Sequence, residues 1–349
     1  IILLFSLILL TCSDKEDFSA YLIEPEIISG LNVESSYLID QLINFSVIGD
    51  NGEDYTQIST FYIDGQEITG SQISHDDLGV HEVFAEYSIE NQLYNTVLKN
   101  YSIVEPINKV LLEDFTGTWC GYCPPVKHAI NMAMDLYSQN LTVVATHQND
   151  EFAIDQEQDL TSSLGPFGLP EARINRLIEW IDPYDISELN DLVLTQNPIA
   201  ISIESNIDGN DLTSRIRFVS KESLVDHKVV VYLTEDNLIA DQANYLNFDE
   251  NSYFYGMGNP IIDYSHEDVL RYSFTDILGD EILNSEALSD NLIYFDLDMS
   301  QFDFNPENTN IIAIIVNSDN LALNSQSARV GEFQDFNNIE DIQNLKISF

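Results

Sequence analysis

Hydrophobic and polar residues alternate over short stretches in the first third of the chain. The stretches at 43–48, 59–63 and 80–87 follow this period of two, and turns rich in Asp, Asn and Gly separate them. Such alternation predicts β-strands joined by hairpins. We therefore predict a small all-β domain over residues 22–104, followed by a linker at Glu105–Pro106.

The pattern changes in the middle of the chain. An apolar run at Lys109–Phe115 predicts a buried strand, and apolar residues then recur at helical spacing over Val126–Tyr137. A second apolar run at Leu141–Thr146 predicts another buried strand, and Ile186–Thr195 predicts a closing helix. Strands alternating with helices predict an α/β domain, to which we assign residues 108–197.

The last third returns to strand-like patterns, and we assign residues 198–349 to a C-terminal β-sandwich of Ig-like or jelly-roll type. Its predicted strands are 199–204, 212–219, 228–234, 269–274, 291–297 and 311–316. The insert at 236–268 is rich in Tyr, Asn and Gly and is too long for an ordinary hairpin. We expect it to form a binding surface.

Two cysteines lie where the first buried strand of the α/β segment gives way to its helix. Cys120 and Cys123 form a C-x-x-C motif within Phe115–Pro125. Unpaired N–H groups and the dipole at a helix N-terminus stabilise an anion, so Cys120 is expected to react as a thiolate. Cys123, one turn further on, is placed to resolve a mixed disulfide.

This motif resembles that of the thioredoxin superfamily. Trp119 precedes the first cysteine, as in many members, and Gly121–Tyr122 resembles the dipeptide of disulfide isomerases. The resemblance implies that Asp114 is the buried carboxylate that takes the proton of the second cysteine. It also implies that Pro170 is a cis-proline that shapes the substrate groove.

The wording EDFTGTWCGYCPP, followed downstream by GLPEARINR, resembles a narrower group, the outer-membrane lipoproteins of Bacteroidota related to a proposed adhesin. This resemblance covers roughly residues 108–331, and the stretch His266–Arg271 matches wording of the same group without revealing a role. Residues 22–104 resemble Ig-like or PKD-type modules. The resemblance therefore implies an envelope protein with a thioredoxin-like domain between two β domains.

Two functions stay open at this stage. The pair Cys120 and Cys123 could catalyse thiol–disulfide exchange, or it could be a fixed disulfide in a non-enzymatic surface adhesin or binding protein. No second C-x-x-C is present to complete a zinc site, so we expect no metal there. His147, at the end of a predicted strand, could tune the thiolate or cap the strand, and His75 and His81 are typical of surface residues.

The start of the chain resembles a lipoprotein signal segment. Residues 1–12 are apolar up to Leu9–Leu10–Thr11–Cys12, which resembles a lipobox. We therefore expect Cys12 to be acylated and the acidic residues 13–21 to form a tether. This predicts an outer membrane lipoprotein on the cell surface or the periplasmic face.

The charge of the chain limits the classes of molecule that it can be expected to bind. The 59 acidic residues outnumber the 13 basic ones and give a formal charge of −46, which argues against nucleic acid as a partner. We expect protein thiols and disulfides as partners and no cofactor. Acidic clusters at 296–298 and 303–310 offer oxygen ligands, but they lack EF-hand spacing, so we do not expect a calcium site.

Overall fold

The computed structural model describes residues 26–28, 30–164, 168–193 and 195–336, and these residues form mostly β-strands arranged in several sheets. Cys12 and the predicted signal and tether segments lie outside the described residues. Among the helices that are described, none is both long and apolar enough to cross a membrane.

Strands dominate the first part of the chain, as the alternating pattern predicts. They are β1 (Glu26–Ile28), β2 (Leu31–Asn32), β3 (Ser36–Leu38), β4 (Ile43–Asn44), β5 (Ser46–Val47), β6 (Ser59–Ile63), β7 (Gln66–Glu67), β8 (Gln72–Ile73), β9 (Gly79–Ile89), β10 (Gln92–Thr96) and β11 (Lys99–Val104).

One compact unit contains the described residues up to Val33 together with 44–72 and 82–99. Within it, β6 pairs antiparallel with β9, so that Phe61 lies opposite Ala85. The side chains of both residues are buried, and Phe61 also stacks on Phe45 with ring centroids 5.8 Å apart. Alternate residues of these strands therefore form the core of the unit, as their period of two predicts.

The second compact unit contains residues 34–43, 73–81 and the described chain from Asn100 onward. Its two α-helices are α1 (Pro124–Tyr137) and α2 (Glu157–Leu164). From residue 110, its strands are β12 (Val110–Thr116), β13 (Leu141–His147), β14 (Glu171–Ile174), β15 (Ile178–Trp180), β16 (Ile199–Asp208), β17 (Asp211–Ser220), β18 (Lys228–Glu235), β19 (Leu238–Gln242), β20 (Ile261–His266), β21 (Val269–Ser273), β22 (Asp280–Glu281), β23 (Asn291–Asp298), β24 (Thr309–Val316), β25 (Ala322–Arg329) and β26 (Phe333–Gln334).

A nine-stranded sheet organises this unit. Its main order is β15-β14-β12-β13-β21-β18-β24-β25, and β22 pairs with the first two residues of β18. The β12 and β13 strands are parallel, and β14 runs antiparallel beside β12. The sheet therefore contains strands from both the predicted α/β segment and the predicted C-terminal segment.

Alternate residues of this sheet bury opposite faces. On one face, Val110 and Leu112 pack against α1, and further along Val229 and Val231 pack against the second sheet, of order β23-β17-β16-β26. On the opposite face, residues such as Leu111 join a core that includes the apolar residues of α2. Because both faces are covered, the strands read as continuous apolar runs.

Most predicted elements of this unit are confirmed, but one predicted helix is shorter and the structure adds strands that the sequence does not predict, namely β15, β19, β20, β22, β25 and β26. The predicted helix at Ile186–Thr195 is a 3-10 turn over Ile186–Leu189, which the side chain of Asp185 caps by accepting a hydrogen bond from the N–H of Ser187. The β25 strand was not predicted, because its centre, Asn324–Gln326, is polar. These three side chains are buried and make hydrogen bonds to backbone or side-chain groups of neighbouring strands, which removes the usual apolar signal.

Candidate functional site

The candidate site lies at the end of β12, where the chain turns into α1. The two cysteines of this loop, Cys120 and Cys123, are joined by a disulfide. Cys123 is the N-cap of α1, and Pro124 occupies the first turn, where its missing N–H costs nothing. The N–H of Cys120 donates to the carbonyl of Gly117 (2.9 Å), so Cys120 lies one tight turn before the helix.

Two aromatic side chains of the loop face solvent beside the disulfide. Trp119 is 49% exposed, and its indole N–H donates to the carbonyl of Gln148 at 2.7 Å. Tyr122 is 56% exposed and meets Tyr245 edge to face, with centroids 5.2 Å apart. The loop therefore presents apolar surface on both sides of the cysteines.

The long insert between β18 and β21 covers this loop. The buried side-chain amide of Gln242 donates to the carbonyls of Cys120 (2.9 Å) and Gly117 (3.3 Å). Two backbone hydrogen bonds extend the contact. The N–H of Ala243 donates to the carbonyl of Thr118 (2.8 Å), and the N–H of Tyr245 donates to the carbonyl of Gly121 (2.9 Å). The insert thus runs along the C-x-x-C loop as an added segment of backbone.

This contact requires a glycine in the motif. A Cβ at position 121 would lie 2.4 Å from the ring of Tyr245, which is well inside van der Waals contact. The residue therefore has to be glycine for Tyr245 to pack as it does.

The insert also buries the cysteines. Only 4% of Cys120 and 2% of Cys123 is exposed to solvent. The position of Cys120 before a helix predicts an exposed sulfur, so the burial is a departure from the sequence-based expectation. Its physical reason is the cover provided by the insert, whose contacts with the loop are not visible in local sequence patterns.

A small polar cavity lies behind the disulfide. Asp114, Cys123 and Lys127 line it together with residues of the insert. Burial raises the pKa of Asp114 to about 7, against a weaker opposing effect of Lys127. The buried Oδ1 of Asp114 has no hydrogen-bond partner among the described residues. A carboxyl group in this state can accept or release a proton near neutral pH.

Lys127, which lines this cavity, forms an ion pair with Asp268. The ammonium group of Lys127 lies 3.2 Å from Oδ2 of Asp268. Burial raises the pKa of Asp268 to about 6, although a quarter of its side chain is exposed, and Lys127 opposes this rise. Two carboxyl groups, Asp114 and Asp268, therefore compete for one cation.

Two histidines complete the cavity. His147 Nδ1 lies 2.7 Å from Oδ2 of Asp150, and the same carboxylate accepts the N–H of Thr118 at 2.8 Å. The ring of His266 meets that of His147 edge to face at 5.0 Å, and burial, followed by the charge of His147, lowers the pKa of His266 to about 4. His147 therefore helps to position the C-x-x-C loop through Asp150.

Pro170 immediately precedes β14, the strand that pairs with β12 beside the C-x-x-C loop. The Leu169–Pro170 peptide is cis, as predicted. Glu171, the next residue, opens β14 opposite Phe115, so Pro170 is adjacent in register to Thr116 at the end of β12. The role of Pro170 in a substrate groove stays a prediction.

The sequence therefore identifies only part of this site. The structure brings Asp114, Cys123 and His147 to one cavity, while Trp119 and Tyr122 border the loop outside it. The sequence does not identify Lys127, Gln242 and Asp268 as residues of the site. An isolated polar residue gives no indication of which part of the fold it will contact. The stretch at 266–271, to which the sequence assigns no role, supplies His266, which lines the cavity, and Asp268, which pairs with Lys127.

Comparison with known proteins places the chain among envelope proteins. The family described as outer membrane protein Omp28 matches residues 157–334. The structure of HBP35 of Porphyromonas gingivalis superposes with a TM-score of 0.51 at 19% identity, covering 65% of this chain and 76% of that one. A structural genomics target from Agrobacterium tumefaciens superposes with a TM-score of 0.40 at 12% identity, covering 65% and 96%. A search of curated proteins finds no match.

Proposed function

The chain belongs to the outer membrane protein Omp28 family and is therefore an envelope protein, in which we propose that Cys120 and Cys123 carry out thiol–disulfide exchange. One observation carries the proposal: the bonded cysteines lie at the start of a helix, and Cys123 shares a cavity with the buried carboxyl group of Asp114. The thioredoxin-like character of residues 108–197 belongs to the same proposal. It is supported by the parallel pairing of β12 and β13 and by the helix between them.

In the reduced protein, the thiolate of Cys120 attacks a substrate disulfide. A bond forms between Cys120 and one substrate sulfur, and the other substrate sulfur leaves as a thiolate that takes up a proton. Cys123 then transfers its proton to Asp114 and attacks the sulfur of Cys120. The Cys120–Cys123 disulfide forms as the bond between Cys120 and the substrate breaks, the second substrate sulfur leaves as a thiolate that takes up a proton, and two electrons have passed to the substrate.

Each neighbouring group has a defined part in this sequence. The helix N-terminus stabilises the thiolate at the motif, and the cation of Lys127 limits the rise in the pKa of Asp114. The exposed rings of Trp119 and Tyr122 offer apolar contact to a polypeptide that carries the substrate disulfide. Oxidation of substrate thiols uses the same steps in reverse.

The proposal is tested with single cysteine variants in an insulin reduction assay. Cys120→Ser is expected to abolish turnover, whereas Cys123→Ser is expected to accumulate a mixed disulfide between Cys120 and the substrate. Cys120→Ser with wild-type turnover would refute the proposed nucleophile. An unchanged near-ultraviolet circular dichroism spectrum serves as the control for folding.

A non-enzymatic binding protein is the second candidate function. The observation that favours it is the burial of both cysteines beneath the insert, which fits a fixed disulfide that holds the loop and insert together. In that case, reduction of the disulfide would loosen the insert without supporting turnover. The same cysteine variants separate the two functions, because only the enzyme forms a mixed disulfide.

We further propose that the protein is anchored through an acylated Cys12 and that the Ig-like unit in residues 22–104 acts as a spacer or weak binding module. The support for the anchor is the apolar run that ends in a lipobox-like tripeptide. The acidic residues after Cys12 are consistent with a position on the cell surface.

A further inference from the structure

Two histidines that are separated in sequence lie against each other in the second compact unit. His75 lies in the connection between β8 and β9, His81 lies within β9, and their rings stack with centroids 3.9 Å apart. Asp77, in the turn between them, is exposed. One ligand atom from each of the three side chains lies within 4.8 Å of the other two.

The base of this cluster is held in place by neighbouring residues. The carbonyl of His75 accepts the N–H of Asp40 at 2.8 Å, which fixes the backbone of the turn. His75 Nε2 lies 2.7 Å from the hydroxyl of Tyr101, a side chain that is almost fully buried and packs edge to face on Tyr37. A hydrogen bond to one ring nitrogen is the usual device that orients a metal-binding histidine.

We propose that His75, Asp77 and His81 bind a divalent transition metal, with Zn²⁺ as the best match. Two imidazole nitrogens and one carboxylate form a ligand set that suits zinc, whereas calcium and magnesium prefer oxygen ligands throughout. Zinc ligands lie about 2.0–2.1 Å from the metal, which places tetrahedral ligand atoms roughly 3.4 Å apart. The ligand atoms, which lie within 4.8 Å of one another, therefore have to converge by at most about 1.4 Å, and exposed Asp77 has the freedom to do so.

The site would leave one coordination position open. Three protein ligands do not complete a tetrahedron, so water or a ligand from another molecule would take the fourth position. This site is distinct from the disulfide site, since none of its three residues lines the cavity behind Cys123. Failure of one proposal therefore leaves the other standing.

Binding is tested by isothermal titration of the full chain with Zn²⁺ in buffered saline containing excess Mg²⁺. The saline and the Mg²⁺ suppress non-specific binding of cations to the acidic surface. One equivalent of Zn²⁺ is expected to bind, and His75→Ala and His81→Ala are each expected to weaken binding at least about tenfold, since each removes a ligand. His227→Ala, a histidine elsewhere in the unit, is the matched control and should bind as wild type.

Cobalt provides a second readout that reports geometry. Co²⁺ in the site should give the visible absorption of a tetrahedral ion, and both histidine variants should lose it while His227→Ala keeps it. Metal-free circular dichroism spectra establish that each variant is folded. Zn²⁺ binding that both histidine substitutions leave unchanged, or no binding beyond that of an acidic surface, would show that the stacked pair is only a surface feature.

Discussion

Asp114 is the residue on which the resolving step depends most. Because burial raises its pKa to about 7, the carboxylate form needed to accept the proton of Cys123 grows as pH rises through that value. The rate of resolution should therefore increase with pH around 7. In Asp114→Asn, that step should be about 10²-fold slower and lose this pH dependence, because general-base contributions are typically of at least this size.

The resolving step can be measured alone by loading Cys120 with thionitrobenzoate and following its release by Cys123. Asp135→Asn is the matched control, because Asp135 is an exposed carboxyl group on α1 and should not affect the rate. Equal rates and equal pH profiles for Asp114→Asn and the wild type would contradict the proton transfer.

The same carboxyl group should affect stability with a defined sign. The pKa of Asp114 in the folded protein, about 7, lies above its ordinary value of 3.8, so folding favours the protonated form. Its contribution is complete below about 3.8 and is lost as pH rises through about 7. Urea unfolding of Asp114→Asn should therefore show less loss of unfolding free energy between pH 5 and pH 8 than the wild type.

At this scale, the sequence predicts the residues that belong to the motif and little else. Cys120, Cys123 and Asp114 are recognisable because they lie at fixed spacing around one strand and one helix. Gln242, which lines the same cavity, and Asp268, which pairs with Lys127, follow more than 100 residues later and come close only through the order of strands in the sheet. No local pattern encodes that order.

The insert covers the C-x-x-C loop, and we expect it to control access to the cysteines. Gln242→Ala removes the amide that bonds to the carbonyls of Cys120 and Gly117, and each such bond contributes about 0.5–1.5 kcal/mol. A total loss of about 1–3 kcal/mol would raise the open fraction of the insert about 5- to 150-fold. Alkylation of Cys120 in the reduced protein should accelerate by that factor.

Gln301→Ala is the matched control, because Gln301 is an exposed glutamine outside the insert. The measurement is the rate of iodoacetamide modification by mass spectrometry after mild reduction. If Gln242→Ala and the wild type react equally fast, the insert does not limit access to Cys120.

The sequence identifies the insert as a candidate binding surface from its length and its Tyr, Asn and Gly content. The structure shows that part of this surface is occupied by the protein's own C-x-x-C loop. Backbone hydrogen bonds such as Tyr245 N–H to Gly121 make this contact, and backbone groups carry no side-chain signature that a sequence pattern could reveal.

A buried ion pair joins the turn after β14 to β12 in the nine-stranded sheet of the second compact unit. Arg176 is fully buried, with Nε 3.4 Å from Oε1 of Glu113 on β12 and Nη2 2.6 Å from the hydroxyl of Tyr232 on β18. Arg176→Met would leave Glu113 buried without its cation, which costs about 3–5 kcal/mol. The free energy of unfolding measured in urea should fall by that amount.

The double variant Arg176→Met/Glu113→Leu should recover much of this loss, because it removes both charges. Arg329→Met is the control, since its ion pair with Asp236 is partly exposed and such pairs contribute at most about 1 kcal/mol. A loss of less than 1 kcal/mol in Arg176→Met would contradict the stabilising role of the buried pair.

Sequence patterns do not predict that the α/β segment and the C-terminal segment contribute strands to one sheet. The strands themselves are predictable, because apolar runs such as those in β12, β13, β18 and β24 read as buried strands. The neighbour of each strand in the sheet is not predictable. For example, β13 pairs with β21 through one parallel residue pair, Ala145 and Val269, which are more than 100 residues apart in sequence. The period of the hydrophobic pattern determines on which face of the sheet a residue lies, but it does not determine which strand pairs with it.

Anchoring is the other property of the whole molecule that can be tested. Because Cys12 follows an apolar run and a lipobox-like tripeptide, full-length protein should partition into detergent, and Cys12→Ala should release it into the aqueous phase. Protease added to intact cells should trim the protein if it faces outward. A wild-type protein that stays in the aqueous phase with a free Cys12 thiol would contradict acylation.

The equilibrium of the Cys120–Cys123 disulfide with glutathione tests the central claim most directly. A pair that exchanges with substrates should equilibrate with glutathione buffers and have a reduction potential between about −120 and −270 mV, as enzymatic pairs do. Such a potential, obtained by mass spectrometry of alkylated samples across a series of buffers, is the result predicted for exchange. A potential below about −300 mV, or a disulfide that resists the buffers even when the insert is loosened by Gln242→Ala, would identify a structural bridge and contradict it.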